Sequence, residues 1–239
     1  MRTRSAREER RTAITVGVLY IIATAAGFAA MLANAPTEAA QMAAGKGAVL
    51  ITALIEVLMA VTVAGLGLMF YPVLMRDADT SGKQGLTMWY VGTRITEGGL
   101  FFVGVIALVS MLSVSEAMVG ASAVKAASYE AAALALKRIG EYSWIAGQTI
   151  FCVGAVMLYW LLYISRRVPR WLSVWGLVAA PMMLVAGFML PITGNPNSSI
   201  SSLLYAPMGL QEMVLAVWLI ARGFRPKAAV STQGAMSHV

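Results

Sequence analysis

The chain has 239 residues, 59% of them apolar and only 12% charged, with a mean hydropathy of +0.74. That is more apolar surface than a water-soluble core of this size can hide, so the composition predicts an integral membrane protein and excludes a soluble domain or a disordered chain. Cys152 is the single cysteine, which excludes a disulfide scaffold.

A hydrocarbon layer of roughly 30 Å needs about 20 helical residues, and six apolar runs of that length occur. The first covers 12–34 and the second about 48–75, closed by Pro72 and the charged turn Arg76, Asp77, Asp79. The third, about 86–112, is the only span with several ionisable residues. An Ala-rich stretch, 115–142, follows. Its second half, 129–141, reads as helix, with Lys137 and Glu141 four apart, and an outward extension of the next span explains it better than a surface helix because its polar face is thin. The fourth span, 144–164, stops at Arg166, Arg167 and Pro169. The fifth, 171–190, ends at Pro191 and the turn-forming run Thr193, Gly194, Asn195, Pro196, Asn197. The sixth, 204–222, begins near Leu204 or Pro207. No linker separates two domains and no internal repeat is evident. The predicted fold is therefore an all-α polytopic bundle of six transmembrane helices in one membrane domain, with a polar tail, 227–239, that lacks any period and is expected to be flexible. A cleaved signal peptide is the alternative for the first span, with Ala33, Asn34, Ala35 as a small-residue site. Its apolar stretch of about 22 residues is too long for a signal core of roughly 7 to 15.

Orientation follows from the basic residues. With the N-terminus inside, thirteen Lys and Arg fall on the inner side (among them Arg2, Arg4, Arg7, Arg10, Arg11, Arg166, Arg167, Arg170, Arg222 and Arg225) against four outside: Lys46, Lys125, Lys137 and Arg138. That asymmetry predicts both termini in the cytoplasm. Each inner cluster abuts a span end, where it meets anionic headgroups, so the net charge of +7 points to the lipid bilayer as partner and not to nucleic acid. Trp89, Tyr90, Trp144, Trp160, Tyr163, Trp171, Trp175 and Trp218 lie mostly near span ends and read as an interfacial belt.

Three segments, TAITVGVLYIIATAAGF (Thr12 to Phe28), YISRRVPRWLSVWG (Tyr163 to Gly176) and EMVLAVWLIARGF (Glu212 to Phe224), resemble the DUF4386 family of bacterial six-span membrane proteins. Their order and spacing fit from about Arg11 to Phe224. The arginine–proline turn is the most specific element, and it departs from the commoner pattern by carrying Ser173 where Gly is more usual. The resemblance implies a multi-pass inner-membrane protein. It implies no activity and carries no catalytic or binding residues, because the family is one of unknown function.

The common chemistries lack their residues. The only histidine, His238, is penultimate, so paired haem ligation and a Ser-His-Asp arrangement have no base or ligand. Neither a closed zinc shell nor HExxH, GxSxG or a phosphate loop is present. No cofactor and no catalytic motif is expected. The sixteen methionines, scattered through apolar spans, read as packing, and Cys152 as a small buried hydrophobe.

The candidate site is therefore the short set of polar residues inside the spans: Glu56, Arg94, Glu97, Gln148, Gln211 and Glu212. A charge near mid-bilayer costs at least about 2.5–3.5 kcal/mol on insertion scales, so these groups are expected to face one another or a wet cavity. Arg94 and Glu97, three apart, share a helical face with Tyr90 and Phe101 and lie within ion-pair reach, and Gly98 and Gly99 beside them invite a close helix. From the helical rise, Glu56 lies about 12 Å, Glu97 about 20 Å and Arg94 about 24 Å below the outer end of their spans, which permits a funnel lined by Glu56, Glu97, Gln148 and Glu212 with Arg94 at its floor. Three carboxylates against one arginine leave two that must be protonated, hydrated or cation-bound. The leading expectation is a non-enzymatic protein that binds or passes a small solute or proton. The bland alternative is an ion pair that only fixes register, in a structural or accessory subunit docking on another membrane protein. An intramembrane enzyme acting on lipid through a carboxylate base is a third class.

Overall fold

The computed structural model describes residues 2–33, 35–193 and 199–226. Asn34 of the cleavage-like triplet, the turn residues Gly194, Asn195, Pro196 and Asn197, and the tail with His238 lie outside the described residues.

Seven helices lie within them: α1 (Arg2–Leu32), α2 (Ala39–Met42), α3 (Lys46–Asp77), α4 (Ser81–Met118), α5 (Ala123–Ser165), α6 (Arg170–Thr193) and α7 (Ser199–Arg222). All but the one-turn α2 are long and apolar enough to cross a membrane, six in total among the described residues. With no water to pair exposed backbone groups, a continuous helix is the way such segments satisfy their amides. That is why prolines do not end them. Pro72 lies inside α3 and Pro207 inside α7, and α6 continues past Pro191 to Thr193, three residues beyond the stop expected from the sequence. The stretch 115–142 is divided: its first residues finish α4, and the rest opens α5, which runs unbroken to Ser165. Within it Lys137 does not pair with Glu141. Lys137 reaches Glu38 at 2.8 Å, and Glu141 takes Arg138 at 2.6 Å.

The long helices form a closed ring in chain order. α1 packs on α3, then α3 on α4, α4 on α5, α5 on α6 and α6 on α7, and α7 returns to α1. Helix association in lipid depends on close packing, which small residues permit. A methyl added at Gly17 would sit 2.7 Å from the Ala216 carbonyl oxygen, at the seam where α7 closes on α1, and one at Gly98 would sit 2.7 Å from that of Ala60 across α3/α4. Gly99 has open space beside it, so only one of the adjacent glycines serves an interface. Outward positions carry Leu54, Ile106 and Val217, each more than half exposed, as a lipid-facing surface requires.

The first turns of α1 and the end of α7 meet at one end of the ring, here the terminal end. Arg167, in the α5/α6 turn, holds Asp77 at the end of α3 through two hydrogen bonds of 2.5 and 2.8 Å and donates to Glu9 of α1 at 3.2 Å. Its carbonyl accepts from the Arg225 amide at 2.8 Å. The bonds to Asp77 raise the Arg167 guanidinium above its ordinary range, so it is permanently charged. Arg10 of α1 donates to the Leu219 and Ile220 carbonyls at 3.0 and 2.6 Å, capping the last turn of α7 where the helix dipole favours a cation. At the far end the straps are exposed, as in Lys46 with Glu116 at 2.7 Å.

Candidate functional site

The centre of the ring is polar. Arg94, on the α4 face turned to α3 and α5, is 3% exposed, as is Glu97 one turn on, and their Nη1 and Oε2 lie 2.8 Å apart. The pair is charge against charge: no N–H is directed at Glu97 Oε2, which is buried without a hydrogen-bond partner. Three neighbours fit Arg94 into apolar surroundings. The Phe151 ring lies 5.2 Å under its guanidinium carbon, the Val63 carbonyl accepts its Nε at 3.4 Å, and Gly67 leaves room where a methyl would lie 2.7 Å from its Cβ.

Around this pair stand three tyrosines. Tyr20 and Tyr90 sandwich Phe70 edge-on, with ring centres 6.3 and 6.1 Å away, and Tyr159 follows on α5. All three are buried, so Tyr90 belongs to the core and not to the interfacial belt expected from its position beside Trp89. Its hydroxyl has no partner. Glu212 of α7 is partly buried, lies in the electrostatic field of Arg94 and Glu97, and makes no hydrogen bond or ion pair among the described residues.

The glutamines have a different role. Gln211 accepts from the Tyr159 hydroxyl at 2.6 Å and donates to the Leu172 carbonyl at 3.2 Å. Gln148 accepts from the Tyr205 hydroxyl at 2.7 Å and donates to the Met183 carbonyl at 2.9 Å. Each amide thus ties α5, α6 and α7 together, one from α5 and one from α7, with both of its ends engaged.

Glu56 stands apart. The α3/α4 register sets Gly98 against Ala60 and Gly67 against Arg94, so Glu56 lies roughly 10 Å farther toward the far end than Glu97. It is half-buried and has no hydrogen bond or ion pair among the described residues. The six sequence-chosen residues therefore do not form one funnel. Arg94 and Glu97 are in contact, Glu212 lies within their electrostatic reach, Gln211 is tied to Tyr159, and Gln148 and Glu56 have separate surroundings. Two pockets lie elsewhere, one at the terminal end and one on the surface of α7. Among the described residues no three His, Cys, Asp or Glu side chains converge as metal ligands would.

Sequence reasoning missed Tyr20, Tyr159 and Tyr205, and it set Tyr90 on the face of the pair while also counting it in the belt. The available signal was depth: Tyr20 falls well inside the first span, where a hydroxyl needs an internal partner, whereas belt tyrosines sit at the ends.

No curated protein and no solved structure compared with the chain matches it. One family model does, over residues 15–223, which takes in most of α1, the other five long helices and every residue of the buried cluster, and its description is a domain of unknown function. The chain is a multi-pass membrane protein belonging to the DUF4386 family.

Proposed function

We propose that this protein binds, and passes, a proton or small cation at Arg94, Glu97 and Glu212. The observation behind the reading is a polar imbalance in the core: Glu97 Oε2 and the Tyr90 hydroxyl are buried without a hydrogen-bond partner, Glu97 is met only by the charge of Arg94, and Glu212 adds a second carboxylate with no hydrogen bond or ion pair among the described residues. Arg94 balances one carboxylate. The second must carry a proton or attract a cation, because a bare charge in an apolar bundle costs several kcal/mol. The Tyr90 hydroxyl, without a hydrogen-bond partner, offers an oxygen ligand on the same helix as Glu97. In this reading the terminal end faces the cytoplasm of a bacterial inner membrane, in keeping with the thirteen-to-four distribution of basic residues.

The test is proton and cation flux in reconstituted vesicles for Glu97→Gln, Glu212→Gln and Glu56→Gln. The first two are expected to reduce flux at least tenfold, while Glu56→Gln, outside the cluster, leaves it unchanged. Parental flux from both core variants, with normal folding, would sink the proposal.

A second reading, an accessory subunit docking on another membrane protein, draws on the hairpin of α4 and α5. These helices of 38 and 43 residues are about 57 and 64 Å long and exceed a hydrocarbon layer of roughly 30 Å. Their joint tip carries Val119 and Val124 at 74% and 82% exposure. In that case the glutamine variants lower stability or partner co-purification and leave flux alone.

A further inference from the structure

Arg166 and Arg167 are adjacent but have opposite fates. Arg167 turns into the bundle to hold Asp77 and Glu9. Arg166 is exposed and makes no hydrogen bond, ion pair or ring contact among the described residues, and it is the one non-glycine among them with a positive φ, at 57°. This is the left-handed seat that closes α5, which glycine occupies without strain. An arginine held there invites a functional explanation.

The explanation offered by the surroundings is a pocket of about 280 Å³ between the last turns of α3 and α5 and the start of α4. One wall is aliphatic, made by Leu74, Leu161 and Ile164, and the mouth is charged, with Asp77, Asp79, Lys83 and Arg166. Asp77 is taken up by Arg167 and Asp79 pairs with Lys83 at 2.6 Å. Arg166 is thus the charged group of the lining that has no contact partner among the described residues, and it is available to an anion. Its depth is given by the exposed rings of Trp160 and Trp171, flanking the same turn, since such side chains mark the headgroup level of a bilayer. An aliphatic wall under an arginine without a contact partner at that level matches a lipid, which brings both a phosphate and methylenes, better than a free ion.

We infer that this pocket seats one anionic phospholipid, its phosphate on Arg166 and its first methylenes against Leu74, Leu161 and Ile164. The inference is independent of the core carboxylates. The experiment uses the full chain in neutral detergent, following its thermal unfolding midpoint with added phosphatidylglycerol, phosphatidylcholine or inorganic phosphate, and counting retained lipid by native mass spectrometry. Phosphatidylglycerol is expected to raise the midpoint by several degrees, phosphatidylcholine less, and inorganic phosphate not at all. Arg166→Gly should unfold no earlier than the parent without lipid, since the left-handed seat suits glycine, yet lose both the shift and one retained lipid. Arg222→Gln, removing an exposed arginine at the same end outside the pocket, should keep both. A full shift in Arg166→Gly, an equal loss in Arg222→Gln, or an equal response to inorganic phosphate would each overturn the assignment.

Discussion

The two sides of the ring treat buried polarity differently. In α5, α6 and α7 the buried glutamines are neutral and engaged at both ends, each with a tyrosine hydroxyl and a main-chain carbonyl. Across the ring, where α4 meets α3, the polarity is ionic and incompletely met: Arg94 and Glu97 touch, but Oε2 lacks a directed donor and Tyr90 beside them lacks any partner. Satisfied neutral groups rigidify a bundle, whereas half-satisfied charged ones are costly unless something binds them. The contrast separates scaffold from candidate site within one core.

The largest expected effect comes from breaking the ionic side. Arg94→Met strands Glu97 and should cost about 3–5 kcal/mol in detergent unfolding. Arg94→Met with Glu97→Met should recover most of that loss while abolishing flux. A double variant that retained flux would make the pair scaffold as well, and the contrast would vanish.

The amide side should yield less. Gln211→Leu leaves the Tyr159 hydroxyl unpaired and is expected to cost about 1–3 kcal/mol. Tyr205→Phe removes one bond to Gln148 and should cost about 0.6 kcal/mol, the average for a hydrogen bond between membrane helices. Both variants should keep parental flux. A flux defect in Tyr205→Phe at normal stability would extend the candidate site to the amide side.

The smallest effect concerns the far-end straps. Lys137 holds the exposed Glu38 carboxyl below its ordinary value. A lowered folded value means that the stabilisation is present above about pH 4.3, the ordinary glutamate value, and is lost as pH falls through the folded value. The unfolding midpoint should therefore show a slight acid-dependent decline that high salt and Lys137→Met both remove. The Arg167–Asp77 latch, buried at the other end, should resist salt.

Part of this was legible without coordinates. The i, i+3 spacing of Arg94 and Glu97 sets them on one face of α4, and the pair is made within that helix. Glu56 had an equally plausible depth, yet depth on its own does not say which way a side chain points around its helix. The latch joins residues 9, 77, 167 and 225, each indistinguishable in sequence from any other charge near a span end.

Hydropathy and length by themselves determined six apolar helices, because lipid admits little except continuous helix and sets its minimum length, while three sequence segments carried the family. Only the tertiary structure decided which polar groups meet. The azimuth of each helix, set by glycine contacts such as Gly17 with α7 and Gly67 with Arg94, brings Glu212 toward the buried pair, turns the glutamines into struts, and leaves Glu56 alone.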